Sequence, residues 1–468
     1  MRFIINILLP IFGFFVTYTL WAENTNEGYE MYYLVPFIFS LYLLIDRNIY
    51  TRIFTNAGFA VFFLTAIFRF LLTPYIACIS NYPILFGIEP TPGEFKEAVS
   101  LSLYEEILIL LVFLAIKSKF YKSGQTECQK LPIEEIGGKK LLYLMCLLAL
   151  FSVIKFPQMF KNLHFVGKLS KIDLAETIVV DIPFAGIFTE ALTLGRMFAI
   201  LIIFNYLYKK SKKKGKTKLA IFVSIAFVLI NASVVNNLSR FGVIVPIISF
   251  TYLLLAIYYK QRNLIVTTMA SIILAIVVGM SAVKFFSEDR NSSNYKSDDI
   301  TFWGETFQTY FMGVKETAVG IHTESQIDMI YKDRRGLLFL NDTFSNVIGL
   351  SNFTIATFNT TRIYNGVYFP RSDKGQQIPP NIINGLFYFG KYWAPIYPLF
   401  FLFMLCYLDY KSRNTNNMIY KYALIYGALN SGLFMMVNGT MIICYLINDM
   451  VLMLIYAKLN NLISKIRI

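Results

Sequence analysis

The stretch PFAGIFTEALTLGRMFAILIIFNYLYKKSKKKGKTKLAIFVSIAFVLINASVVN, residues 183–236, decides the class of fold. Two apolar runs, 183–208 and 219–236, flank a ten-residue segment that carries seven lysines. About 20 apolar residues cross roughly 30 Å of hydrocarbon as a helix. A lysine cluster between two such runs belongs on the cytoplasmic side. The stretch therefore reads as a membrane hairpin with its turn in the cytoplasm.

Working outward, the same pattern gives about twelve spanning helices: 3–22, 31–45, 53–72, 98–116, 141–156, 183–208, 219–236, 241–259, 264–283, 386–408, 418–438 and 440–457. Composition agrees. Hydrophobic residues make up 56% of the 468 and charged residues 15%, which leaves too little polar surface for a water-soluble globule. The net charge of +14 could suggest nucleic acid. The lysines, however, sit in short clusters between apolar runs and form no basic face, so no nucleic-acid partner is expected. The five cysteines contain no CxxC pair, and two distant histidines, His164 and His322, do not make a zinc site. No motif calls for a cofactor or a metal. The first apolar run lacks a small-residue cleavage site and reads as a retained helix.

Orientation follows from the basic residues. With both termini in the cytoplasm, the inner segments hold 24 of the 43 Lys and Arg, as the positive-inside bias requires. The expectation is an all-α polytopic protein, one integral membrane domain over 1–468. Residues 284–385 form a large extracytoplasmic loop between the ninth and tenth helices. Trp303, Phe307, Tyr310 and Phe311 stand among charges in that loop, and short helices against the bundle are expected near 301–322. Long ordered loops are disproportionately functional.

Ionisable groups inside spans are costly and default to functional candidates. Arg69 is expected to snorkel outward from its helix end. Glu105 and Glu106 point about 100° apart and cannot share one partner. Glu190 and Arg196 lie on different faces of one helix, with Arg196 turned to a polar interior, and Asp449 is a packing group or an acceptor. At the outer boundary, Arg240 follows the polar turn NNLSRFG, while Arg362 and Arg371 flank IYNGVYFP. A guanidinium stays charged and forks onto phosphate oxygens, so these arginines suit a lipid-borne pyrophosphate. Tyr364 and Tyr368, with Tyr388 and Tyr392 nearby, are candidates for stacking on sugar rings. His322 has the chemistry of a general base, as do the carboxylates Asp289, Glu316 and Glu324.

Three stretches carry a resemblance: GQQIPPNIINGLFYFGKYWAPIYPL from Gly375, LSRFGVIVPII around Arg240, and TYFMGVKETAVGI in the large loop. Together, in their order along the chain, they resemble Wzy-type polymerases of oligosaccharide (O-antigen) repeat units. The resemblance implies a glycosyltransferase of the bacterial inner membrane. Its donor and acceptor would be undecaprenyl-pyrophosphate-linked oligosaccharides joined on the outer face, for O-antigen or capsule. A flippase and a chain-length regulator are the partners it implies. Arg240 and His322 would then be catalytic, with Arg240, Arg362, Arg371, Arg196, Tyr364 and Tyr368 binding substrate. The R-x10-G spacing of some members is absent, because Arg362 is followed by Gly366 and Gly375. A lipid-linked oligosaccharide flippase and an O-antigen ligase are the alternative readings; short outer loops and two related halves would mark the flippase.

Overall fold

A computed structural model describes residues 4–23, 26–85, 87–121, 133–136, 138–157, 163–165, 185–236, 240–286, 300–331, 334–355, 358–369 and 377–465. Within them the chain is helical almost throughout. The exceptions in extended form are a three-residue antiparallel pairing of Leu163–Phe165 with Val234–Asn236 and a single bridge between Glu134 and Asn417.

Among the described residues, five helices are long and apolar enough to cross a membrane: Ile4–Glu23, Ala57–Ile79, Pro92–Phe120, Gly186–Lys214 and Gly439–Ser464. A sixth span results if Gly242–Ile257 and Tyr259–Ile276, bent by 113°, count as one. Leu34–Ile45 and Thr217–Ser233 are apolar but shorter. Several of the twelve expected spans are thus broken or short. The run at 386–408 is divided: helix Asn381–Phe389 stops at Gly390, whose φ of +76° suits glycine, and Ile396–Arg413 starts anew. The run at 53–72 begins with Ile49–Thr55, breaks at the extended Asn56, and continues as Ala57–Ile79. The buried carboxylate of Asp409 accepts the backbone N–H groups of Gly58 and Phe59, at 3.1 and 2.9 Å, and so satisfies the donors that the break exposes.

Contacts group the chain into two compact units, one of residues 1–127, 295–410 and 428–444, the other of 128–294, 411–427 and 445–468. In the first unit, Pro92–Phe120 is set by its ends. Thr91 and Glu94 close a capping box, a proline occupies the first turn, and Lys117 and Lys119 face the negative end of the helix dipole. Its Glu105 meets Arg69 at 2.6 Å, with both side chains buried. The expectation that Arg69 snorkels outward is therefore corrected: a buried carboxylate holds it inside the unit, on a π-helical turn, Phe68–Leu72. Removing either partner of such a pair would strand a charge. Glu106 is equally buried, and neither of its oxygens has a hydrogen-bond partner among the described residues.

In the second unit, Arg196 donates from Nε to the Asn231 side chain (3.0 Å) and from Nη2 to the Asn231 carbonyl (2.6 Å). Asp449, which neighbours Glu190, accepts the Tyr426 hydroxyl at 2.6 Å. Asp449 stands on another π-helical turn, Tyr445–Val451. Such turns recur at functional sites in helical proteins.

Candidate functional site

Within the expected outer loop, three helices enclose a charged core. Ile300–Tyr310 and Val314–Tyr331 reverse at Met312, whose φ of +51° is unusual for a side chain of that size. Gln308 fixes this reversal: its carbonyl accepts the Gly313 N–H (2.7 Å) and its side chain the Lys315 N–H (3.0 Å). Lys315 is fully buried, salt-bridged to Glu305 and donating to the Tyr368 hydroxyl at 2.8 Å. Glu316, next in sequence, accepts the hydroxyls of Tyr364 (2.7 Å), Tyr368 (3.0 Å) and Thr309 (3.2 Å). Burial pushes both Glu305 and Glu316 above the usual carboxylate range, against the pull of Lys315. Helix Thr360–Tyr368 is thereby locked onto Val314–Tyr331. The proposed stacking role of Tyr364 and Tyr368 is corrected, since both rings are fully buried and their hydroxyls serve Glu316.

A second clamp joins helix Arg335–Ser345 to this core. The buried Asp342 accepts the Thr360 N–H and hydroxyl, and the Tyr388 hydroxyl at 2.6 Å. Desolvation nevertheless pushes its carboxyl from 3.8 up to about 6. A raised native value means that the folded state binds this proton more tightly than the unfolded chain. Its contribution is full below about pH 4 and is lost as pH rises through about 6. The span corresponds to on the order of 3 kcal/mol. Asp342→Asn is therefore expected to flatten the fall in thermal midpoint between pH 4 and 7; an unchanged slope would exclude Asp342 as its source. A third clamp is Asn381, which donates to the Phe434 and Val437 carbonyls (2.5 and 2.8 Å) and accepts the Gly439 N–H (2.6 Å), splicing the break before Gly439.

Among the described residues, His322 is the expected site residue that forms a partly open pair with acid–base geometry. His322 Nδ1 lies 2.8 Å from Glu94 Oε1. The other oxygen of Glu94 accepts the Thr91 N–H at 2.7 Å, the capping-box bond. Both side chains are partly open, His322 at 41% exposure. A carboxylate on Nδ1 holds the proton there and leaves the Nε2 lone pair free to accept one. Around the pair run Lys391–Glu97 at 2.5 Å and Arg335, which bridges Glu324, Asp328 and the Leu386 carbonyl.

Of the expected arginines, the structure describes the side chains of Arg362 and Arg196, one in each unit. Arg362 is exposed in the first turn of Thr360–Tyr368, opposite the buried tyrosine face, with its N–H capped by Asn359. Arg196 belongs to the second unit. Arg240 opens helix Arg240–Ile257 in that unit, and its side chain, like Arg371 as a whole and Asp289, lies outside the described residues. Among the described residues no cluster of three or more His, Cys, Asp or Glu could hold a metal. Sequence reasoning missed Glu94, Glu305, Lys315, Asp342 and Asn381. The T-x-x-E signature ahead of an apolar run marks Glu94 as a cap; its histidine, 228 residues away, leaves no local trace.

The chain is thus a helical protein with several helices able to cross a membrane, a buried polar core and a partly open histidine–carboxylate pair. No family model matches the sequence, and no curated protein and no solved structure matches it either.

Proposed function

We propose that the protein joins undecaprenyl-pyrophosphate-linked oligosaccharide repeat units on the outer face of a bacterial inner membrane, as a polysaccharide polymerase. The observation that carries this reading is the His322–Glu94 pair, with its free Nε2, on a partly open surface of the loop expected to face outward. In this reading about twelve apolar segments cross the bilayer, both termini are cytoplasmic, and residues 284–385 face outward.

The chemistry balances in one step. The acceptor sugar hydroxyl attacks the anomeric carbon of the glycan on the donor, and His322 Nε2 takes the hydroxyl proton. The bond from that carbon to the pyrophosphate oxygen breaks, and undecaprenyl pyrophosphate leaves. Glu94 stabilises the imidazolium. Arg362 and the other candidate arginines would neutralise charge as it develops on the leaving group. The test is the purified protein in lipid vesicles supplied with a defined lipid-pyrophosphate repeat unit. A ladder of longer lipid-linked glycans is expected. Movement of the unit across the vesicle wall without a ladder would instead identify a flippase.

A further inference from the structure

Helix Arg335–Ser345 has a second face that the clamp does not use. Leu338 and Asp342 are buried, and Phe339 packs on the rings of Tyr388, Phe389 and Tyr397 at 5.3, 5.6 and 6.4 Å. Leu337, Leu340 and Phe344 are exposed instead. Their spacing of three and then four residues puts them within a sector of about 60°, and no charged residue shares it. The chain that follows extends this surface: Phe353 is 84% exposed and Ile355 is open as well. A surface of this kind facing water would be an unusually large apolar patch.

Two further observations say what covers it. The helix packs against Gly439–Cys444, the start of the Gly439–Ser464 span, and the Cys444 thiol donates to the Asn346 carbonyl at 3.2 Å. Its apolar face is thereby continuous with a helix able to cross a membrane, whose Met441 is exposed beside it. Second, the irregular backbone that bears Phe353 and Ile355 is served internally. Asn341 accepts the Ile355 N–H at 2.7 Å and donates to the carbonyls of Ile355 and Phe358. Irregular backbone at membrane depth requires such service from the protein, because hydrocarbon offers no hydrogen bonds. Eleven residues give about 16 Å of helix, too short to span, and Arg334 and Arg335 stand at its start.

We propose that Leu337, Leu340, Phe344, Phe353 and Ile355 are immersed in the acyl chains of the bilayer's outer leaflet, so that this part of the loop is a lipid-embedded element and does not project into water. The proposal rests on the helices lying in a bilayer and not on the chemistry assigned to His322.

Spin labels on single cysteines at Leu340→Cys, Phe344→Cys and Phe353→Cys, in a chain freed of native cysteines and held in lipid nanodiscs, test it. Phe400→Cys, on the exposed apolar face of Ile396–Arg413, supplies the lipid reference, and Ser325→Cys the aqueous one. Collision with oxygen should dominate over collision with a nickel chelate at all three sites, as at Phe400. Nickel accessibility like that of Ser325 would overturn the proposal, and shielding from both probes would assign the face to a second copy or another protein. An aqueous result at Phe400 would sink the bilayer reading itself. Should the cysteine-free chain fail to fold, Leu340→Trp in the native background serves. Brominated lipids should then quench a larger fraction of its fluorescence than in the unsubstituted protein, and no gain in quenching would refute the immersion.

Discussion

His322→Ala is expected to lower turnover of a lipid-pyrophosphate repeat unit by about 10²–10⁴-fold, the usual worth of a positioned general base. The apparent KM should change little, because the imidazole acts on the hydroxyl in the transition state and not on ground-state binding. Glu94→Gln isolates the carboxylate. Glutamine still completes a capping box, so helix Pro92–Phe120 keeps its start while the imidazolium loses its counter-charge. Turnover should fall by less than in His322→Ala, with the melting temperature nearly kept. Thr91→Ala provides the converse. It removes the cap for about 1 kcal/mol of stability, yet leaves His322 and Glu94 in place, so turnover should hold. The measurement is the rate of ladder growth in vesicles alongside a thermal melt for each variant. Normal turnover in His322→Ala would end the case for this base. Unchanged turnover in Glu94→Gln would show that Glu94 matters only as a cap.

The class of the protein was legible in residues 183–236, where a lysine cluster between apolar runs has one physical reading, and Gly186–Lys214 is indeed a helix able to cross a membrane. Apolar length misled where breaks are written in side chains far away. Nothing near Asn56 announces that Asp409 will cap the helix after it, and nothing near residue 435 announces Asn381. The site divides in the same way. His322 was identifiable because histidine is rare here and has few uses in a loop; its partner Glu94 was visible as a helix cap and not as a carboxylate in waiting. Tyr364 and Tyr368 misled because a tyrosine near arginines reads alike whether its ring meets a sugar or its hydroxyl serves a buried glutamate. The adjacent pair Lys315 and Glu316 looks like solvated loop charge. Only the fold, by bringing Glu305 and two tyrosines to them, makes it a core.

That core sets the largest expected effect on stability. Lys315→Met leaves Glu305 without the ammonium that faces it, in a site closed to water, and breaking a buried pair in this way costs about 3–5 kcal/mol. The loss should depend on pH. With Lys315 gone, only the backbone hydrogen bond from Leu85 still opposes the burial that already holds the Glu305 carboxyl above its usual range. The folded variant therefore prefers the protonated acid, is most stable at low pH, and weakens as pH rises. Adding Glu305→Gln removes the stranded charge and should restore most of the loss, because Glu316 retains the hydroxyls of Tyr364, Tyr368 and Thr309. A double-mutant cycle from thermal melts in detergent reads the coupling directly. If the two losses simply add, Lys315 and Glu305 are not energetically paired, and the loop helices are held by the other clamps and their apolar contacts. If the double variant recovers its stability and still extends glycan, the charges serve the packing of the support under His322 and take no part in the transfer.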